Sequence, residues 1–248
     1  MLAAARARIE RALAPEAVVL DIGGWADPLP RADWVIDLLP YETRGLYGEA
    51  VADSGDRGAT ERFSKETWIE RDACSHEPFP FDDDEIDFVV CSHTLEDIRD
   101  PLRVCSEIVR VGKAGYIEVP SRLEEQAWGV AGPFVGWSHH RWLIDLTGDR
   151  FEFVHKPSAL QALPDAQIPV EAYRRLPPGE RVHALFWEGG FGFEERVIFD
   201  QEEHDRYLAE APRRLDRDEA VLAEPDRRTE RPGRSAALLS RLRRTRDR

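Results

Sequence analysis

The sequence predicts an α/β fold, in which short apolar strands alternate with helices around a mostly parallel sheet. The apolar run 17–20 leads directly into Asp21-Ile22-Gly23-Gly24, and the next apolar segment closes at Asp37. Further along, an apolar run over 85–91 is followed by a helix signal and then by another apolar run over 115–119. Strands and helices in alternation favour a parallel sheet joined by crossovers.

The first strand follows the apolar run 17–20 and leads into the glycine turn at Gly23 and Gly24. Glycines allow a backbone to approach a ligand closely, and a carboxylate such as Asp37 can accept hydrogen bonds from two ribose hydroxyls. A strand, a glycine turn, a second strand and a carboxylate therefore indicate a nucleoside-binding edge. The alternative is a plain strand-end turn with two exposed aspartates, Asp21 and Asp37.

Two more strands follow. Residues 68–73 predict a third strand with Asp72 at its tip, and residues 85–91 predict a buried fourth strand after the acidic turn 82–84. Bounded apolar runs of this length are typical of buried parallel strands. Ser92 and His93 come directly after the fourth strand.

A helix is predicted from Asp100 to Gly112. Asp100 is an N-cap residue, Pro101 suits the first helical position, and Gly112 suits the end. The spacing places four apolar side chains on one face: Leu102, Cys105, Ile108 and Val109. A fifth strand over 115–119 follows.

Residues 18–120 resemble class I S-adenosylmethionine-dependent methyltransferases of the small-molecule, methyltransferase type 11-like group. The family's fourth-strand region reads Pro-Phe-x, an Asp-rich turn, x-Phe-Asp and two hydrophobic residues, and residues 78–97 resemble it. The resemblance includes four separately placed motifs in the family's order. It implies a Rossmann-like, seven-stranded, mostly parallel sheet with an antiparallel last strand and helices on both faces. It also implies methyl transfer as the activity and S-adenosylmethionine as the cofactor.

Nine positions match the places where this family binds its cofactor: Asp21, Gly23, Gly24, Asp37, Leu38, Asp72, Ala73, Ser92 and His93. The resemblance implies that Asp21 and the two glycines line the methionine end, and that Asp37 holds the ribose. It implies that Asp72 with Ala73 meets the adenine. Ser92 and His93 would face the methyl group.

The chain departs from the family pattern in two places. The first loop lacks a third glycine, and residues 25–33 contain two prolines, so the first helix is expected to be one turn or missing. Asp97 stands where related proteins often have a histidine.

Residues 126–142 combine three tryptophans, two histidines and an arginine with several glycines. The segment is either a lid over the acceptor or an aromatic cover in which His139 or His140 is bonded internally. His93 is the first candidate for a base or an acceptor-orienting group, with His139 and His140 behind it. The alternative for His93 is a loop residue that contacts only the cofactor.

Metal and hydrolase chemistry are disfavoured. Adjacent histidines diverge on a strand or a helix, so His139 and His140 do not readily grip one ion with Asp145, and no metal site is predicted. Ser92 and His93 lack the G-x-S-x-G pattern of a hydrolase nucleophile.

The remaining strands are predicted over 151–154 and in a hairpin formed by 182–187 and 195–199. The domain division follows: a helix over 1–16, a methyltransferase domain over 17–211 with an acceptor-side insertion near 121–149, and a disordered charged tail over 212–248. The basic run 241–246 suits an anionic partner or a solvated tail.

The distribution of net charge along the chain indicates which class of partner it can bind. Residues 212–248 hold 12 arginines against 7 acidic residues, so the net charge of −14 leaves −19 on residues 1–211. A part this acidic repels phosphate backbones, which argues against nucleic acid and for a small-molecule acceptor. The three cysteines have no metal or redox spacing and no apolar run could span a bilayer, so a cytoplasmic protein without a membrane partner is expected.

The predicted function is methyl transfer to a small polar acceptor, for example a sugar or glycan intermediate. Two alternatives stay open: a non-catalytic cofactor-binding module that acts through partners, and an enzyme that uses the same cofactor for another reaction. The sequence does not define the oligomeric state.

Overall fold

The computed structural model describes residues 1–45 and 61–217. Their helices and strands follow in chain order: α1 (Ala3–Ala12), β1 (Val19–Ile22), β2 (Trp34–Asp37), β3 (Trp68–Glu70), β4 (Phe88–Ser92), α2 (Pro101–Val111), β5 (Ala114–Pro120), α3 (Arg122–Glu125), β6 (Trp142–Thr147), β7 (Arg150–His155), α4 (Val170–Arg175), β8 (Val182–Glu188), β9 (Gly192–Glu195), α5 (Gln201–Leu208) and α6 (Glu210–Arg217).

In the described part of the chain, the main sheet has six strands in the order β3-β2-β1-β4-β5-β8. The first five pair in parallel, from β3 across to β5. β8 runs antiparallel to β5, because Gly189 N donates to Lys113 O at one end of the pair and Ser121 N donates to Arg181 O at the other. The antiparallel last strand is therefore confirmed, but residues 1–45 and 61–217 contribute six strands to this sheet and not the predicted seven.

The order of the strands reverses between β1 and β4, the two central neighbours. In open parallel sheets, ligands bind outside the carboxyl ends of the strands at such a switch point. The loop after β1 begins at Gly23 and the loop after β4 begins at His93. Both segments named by the sequence thus lie at the switch point.

The helix after β4 forms as predicted. The Asp100 side chain accepts a hydrogen bond from Arg103 N at 3.0 Å, and Pro101 occupies the first turn. The buried face of α2 is rotated from the predicted one. Leu102 and Val109 are only half-buried, and the fully buried apolar side chains are Pro101, Val104, Cys105, Ile108 and Val111.

No helix forms between β1 and β2 within the described residues, which confirms the expected loss of the first helix. The connection is instead fixed by side chains: Asp21 accepts from Leu29 N at 2.8 Å, and Arg6 of α1 pairs with Asp27 at 2.6 Å. α1 packs Ala5 and Ile9 into the core beside the same loop. The loop therefore has a defined shape without a helix of its own.

A second sheet overturns two predictions. It contains β6, β7 and β9, with β7 and β9 parallel, so the strand predicted over 151–154 does not join the main sheet. The hairpin of 182–187 with 195–199 is wrong, because β8 lies in the main sheet and β9 pairs with β7. Residues 196–200 form no strand. Alternation of apolar and polar residues predicts a strand, but it does not predict which strand pairs with it.

The contacts divide the chain into two units. The first contains Met1–Val119, Ile144–Phe153 and His183–Glu195, and the second contains Pro120–Leu143, Val154–Val182 and the residues from Arg196 onward. The main sheet belongs almost wholly to the first unit. All predicted cofactor-binding residues lie in the first unit, while His139 and His140 lie in the second.

The described residues of the second unit include two apolar clusters. One contains Val135, Leu143, Leu160, Tyr207 and Leu208 among its members; the other contains Ala127, Ile168, Leu176, Ala211 and Leu215. The helix α6 continues to Arg217 and Leu215 is buried, so the tail does not begin at 212 as predicted. Residues 218–248, including the basic run 241–246, lie outside the described residues. Across the described part of the chain, no helix is long and apolar enough to cross a membrane.

Candidate functional site

Gly23 and Thr94 meet at the switch point of the main sheet. Gly23 has a φ of +75°, a conformation that glycine adopts without strain, and its N–H donates to Ile36 O at 2.8 Å. A Cβ at this position would overlap the Thr94 side chain. The glycine is therefore required by contact between the loops after β1 and β4. The sequence had assigned it only to approach of a ligand.

Asp21 lies beneath the same loop and is almost fully buried. A Cβ at Gly24 would lie 2.6 Å from its Oδ2 atom, so the second glycine also makes room for a protein group. Burial raises the pKa of Asp21 to about 7, although the hydrogen bond from Leu29 N opposes the rise. A carboxylate held in this way favours a cation or a hydrogen-bond donor nearby.

Asp37 ends β2 at the neighbouring position along the edge. Its Oδ2 accepts from Trp25 N at 2.9 Å and its Oδ1 accepts from Leu39 N at 2.8 Å. Burial raises its pKa, while these hydrogen bonds act in the opposite direction. Each carboxylate oxygen has a second lone pair, so Asp37 can still accept bonds from two hydroxyls. Leu38 beside it is exposed.

Asp72 and Ala73 follow β3 and are both half-buried. Asp72 accepts from Cys74 N at 2.8 Å and from the guanidinium of Arg99. Partial burial would raise the pKa of Asp72, but the hydrogen bonds from Arg99 and Cys74 N, together with the charges of Arg99 and Arg71, lower it. Arg99 was not identified from the sequence, because its pairing with a residue 27 positions away depends on the fold.

Ser92 and His93 lie at the carboxyl end of β4. The Ser92 Oγ atom is buried and has no hydrogen-bond partner among residues 1–45 and 61–217. A buried hydroxyl without a partner is costly, so this atom is a candidate contact for a ligand or a water molecule. His93 has a φ of +54°, a strained conformation for a residue with a side chain.

Two buried glutamates flank the His93 ring. Nε2 lies 3.0 Å from Oε1 of Glu118, and Nδ1 lies 3.5 Å from Oε1 of Glu96. The two carboxylates are each 1% exposed, whereas the His93 side chain is 38% exposed. The His93 side chain is thus partly exposed, and each of its ring nitrogens lies near a buried carboxylate.

The charge of His93 follows from these neighbours. Burial alone would lower the pKa of His93, but Glu118 and Glu96 raise it to about 10. Burial would raise the pKa of Glu118, but hydrogen bonds from His93, Tyr116 and Leu2 lower it to about 2. The ring is therefore an imidazolium at neutral pH, a state that can donate a proton or a hydrogen bond and cannot accept a proton.

Glu96 and Glu118 were missed in the sequence. What could have indicated them is a charged residue within or beside an apolar run. Glu118, for example, lies within the predicted strand 115–119. A charge that a parallel strand buries must find a partner. The sequence does not say which partner.

In the second unit, the His140 side chain belongs to a cluster of buried charged side chains. Its Nδ1 lies 2.5 Å from Oε1 of Glu125, whose Oε2 accepts from Lys156 Nζ at 2.6 Å. Its ring stacks on Trp137, and Trp137 in turn donates to Glu124 at 2.8 Å. This geometry supports the structural interpretation of His140. His139 is exposed, with its ring edge against both neighbours.

A cavity of about 300 Å³ lies elsewhere in the first unit, at the amino ends of the parallel strands. Arg8, Phe88, Gly115 and Trp187 are among the residues that line it. None of the predicted site residues does. The switch-point argument therefore favours the opposite edge.

Comparison with known proteins gives a family for part of the chain. A family model described as a methyltransferase domain matches residues 48–117, less than a third of the 248 residues. The match begins after β2, so it does not include Asp21, Gly23, Gly24 or Asp37. No curated protein matches the chain.

Solved structures are similar over about half of the chain. YcgJ from Bacillus subtilis is 21% identical over 46% of this chain and 49% of its own, with a TM-score of 0.34. A SAM-dependent methyltransferase from Aquifex aeolicus is 17% identical over 47% and 64%, with a TM-score of 0.31. One from Mesorhizobium loti is 13% identical over 60% and 62%, with a TM-score of 0.33. The chain spans about half the length of the first structures that it matches.

The family match therefore concerns residues 48–117, a segment that contains β3, β4 and α2.

Proposed function

We propose that the chain transfers the methyl group of S-adenosylmethionine to a small polar acceptor. The observation that carries the proposal is the family match over 48–117, because this segment contains β4, one of the two strands that form the switch point. Ser92 and His93 fall inside the match, at the place where this class of enzyme brings cofactor and acceptor together.

The residues at the edge fit the cofactor. Asp37 ends the strand next to β1 and keeps acceptor capacity for two ribose hydroxyls. The unpartnered Ser92 hydroxyl and the buried Asp21 carboxylate supply further polar atoms. Asp21, Gly23 and Gly24 would hold the methionine end, and Leu38, Asp72 and Ala73 the base.

Bound S-adenosylmethionine supplies a methyl group that its positively charged sulfur already activates. The chain's own contribution is therefore alignment, and removal of the acceptor proton where the acceptor is a hydroxyl. As an imidazolium, His93 suits orientation of the acceptor better than removal of its proton. His139, exposed in the second unit, and His140 remain the other candidates for contact with the acceptor.

The acceptor that we propose is small and polar, with a sugar or glycan intermediate as the leading example. The charge of −19 on residues 1–211 supports a neutral or cationic acceptor over a nucleic acid. We place the reaction in the cytoplasm on the strength of three cysteines without disulfide pairing.

Transfer of radiolabel tests the proposal. The protein is incubated with S-adenosylmethionine labelled in the methyl group and with fractions of small molecules from a cell extract. We expect label to move into a small polar compound. Cofactor binding without any transfer favours the non-catalytic module, and cofactor consumption with the label left in a cofactor fragment favours another reaction.

A further inference from the structure

The Glu118 side chain on β5 is surrounded by hydrogen-bond donors. Both of its carboxylate oxygens accept from Leu2 N, at 3.1 and 2.9 Å, and the Tyr116 hydroxyl donates to Oε2. The amino group of Met1 lies 3.5 Å from Oε1. These donors fix the carboxylate on β5 and keep it ionised.

Glu118 holds His93 at two points, one on its side chain and one on its backbone. Oε1 accepts from the ring at Nε2, and the backbone N–H of His93 donates to the Glu118 carbonyl at 2.8 Å. A ring held through Nε2 has one orientation, and its other nitrogen then has a defined position. The strained backbone of His93 is maintained by these contacts.

The other nitrogen, Nδ1, is held more weakly. It lies 3.5 Å from Oε1 of Glu96, and both Glu96 oxygens are buried and accept no hydrogen bond from the described residues. The N–H at Nδ1 is therefore the donor of this cluster with capacity left for a ligand oxygen. The ring is partly exposed, so a ligand can reach it.

We propose that Glu118 is a positioning residue: it holds His93 as a fixed cation, so that His93 orients the acceptor by donating from Nδ1 and does not take the acceptor's proton. The inference rests on the proposed function, because it assigns roles at the same site. It differs from the role of base that the sequence suggested for His93.

The charged groups around the ring are consistent with this role. Glu118 faces it from β5 and Glu96 from the loop after β4, while the Met1 amino group is the opposing charge from the segment before α1. The two carboxylates outweigh that single amino group. The pKa of His93 is accordingly raised, to about 10.

The test is an NMR titration of the His93 ring nitrogens, which needs no acceptor. In the wild type both nitrogens should stay protonated at pH 8. In Glu118→Gln the pKa should fall toward the ordinary value of about 6.5, and Glu118→Asp should restore part of the shift. The matched control is Glu107→Gln, since Glu107 is a buried glutamate whose ion-pair partners are Arg103 and Arg110 and not His93.

A wild-type His93 that titrates near pH 6.5, or a Glu118→Gln protein that keeps His93 charged at pH 8, overturns the proposal. If Glu118→Gln does not fold, the wild-type titration and Glu118→Asp still decide it. Turnover adds a second readout. Glu118→Gln should lower kcat at least tenfold and alter its pH profile, with unchanged affinity for S-adenosylhomocysteine. A protein that shows the titration but transfers no methyl group contradicts the proposed function alone.

Discussion

The Cα of Gly23 lies against the side chain of Thr94, and this contact joins the two loops that flank the switch point of the sheet. Because β1 and β4 pair directly, the loops that follow them start side by side. The glycine turn and the end of β4, 70 residues apart in sequence, therefore form one edge.

Gly23→Ala should destabilise the protein by about 2–4 kcal/mol. The φ of +75° disfavours any Cβ, and the added methyl group would overlap Thr94. Urea denaturation measures the loss. Gly148→Ala is the control, because Gly148 has a φ of +64° with nothing within 4 Å and should lose only about 1 kcal/mol. If Gly23→Ala costs no more than Gly148→Ala, the contact with Thr94 is not tight.

Asp21→Asn should stabilise the protein at pH 8. The pKa of Asp21 is raised from 3.8 to about 7 in the folded state, so ionisation of this buried group opposes folding progressively between pH 4 and pH 7. Asparagine removes that cost, by up to about 4 kcal/mol at pH 8 and by little near pH 4.

The control for this change is Asp87→Asn, whose effect has the opposite sign. Lys113 and Val18 N lower the pKa of Asp87, so its charge favours folding above pH 4. Thermal denaturation at pH 4 and pH 8 measures both variants. An Asp21→Asn protein that is no more stable than the wild type at pH 8 contradicts the assigned burial.

His140→Ala should lower the free energy of unfolding much more than His139→Ala does. His140 is almost fully buried against Glu125, and loss of one partner from a buried ion pair costs about 3 kcal/mol. His139 is exposed, so its loss should change stability by less than about 0.5 kcal/mol. Chemical denaturation and turnover are measured together. Unchanged stability in His140→Ala contradicts the structural role, and lowered turnover in a stable His139→Ala protein supports a lid.

Leu215→Ala should destabilise the second unit by about 2–4 kcal/mol, since Leu215 is buried with Ala127, Ile168 and Leu176. A chain that ends at Pro212 should lose a similar amount. A chain that ends at Arg217 keeps the contact and should denature like the full chain, as the charged composition beyond it suggests. Equal stability of the two truncated chains contradicts the packing of α6.

Local signals in the sequence predicted much of the first unit. Asp100 and Pro101 define the start of α2 through contacts within one helical turn, and the strands β1 to β5 follow from short apolar runs. Two prolines between β1 and β2 correctly indicated the loss of a helix. These features depend on neighbours in sequence, which a single chain displays.

What the sequence did not predict depends on distant partners. The strand over 192–195 pairs with β7, whose partner residues lie 42 positions earlier, and no local pattern chooses between that partner and β8. Likewise, the roles of Glu96 and Glu118 depend on where His93 lies after folding. The second unit assembles its polar core from α3, Lys156 and His140, which only tertiary contact reveals.

The affinity of Asp37→Asn for S-adenosylhomocysteine, measured by isothermal titration calorimetry beside the wild type, tests the central claim most directly. If Asp37 accepts both ribose hydroxyls, removal of its charge should cost about 1.5–3 kcal/mol and weaken binding roughly ten- to a hundredfold. Asp87→Asn, at the amino end of β4, should bind like the wild type. Equal affinity of the wild type and Asp37→Asn, or no binding by the wild type, would contradict a cofactor site at this edge.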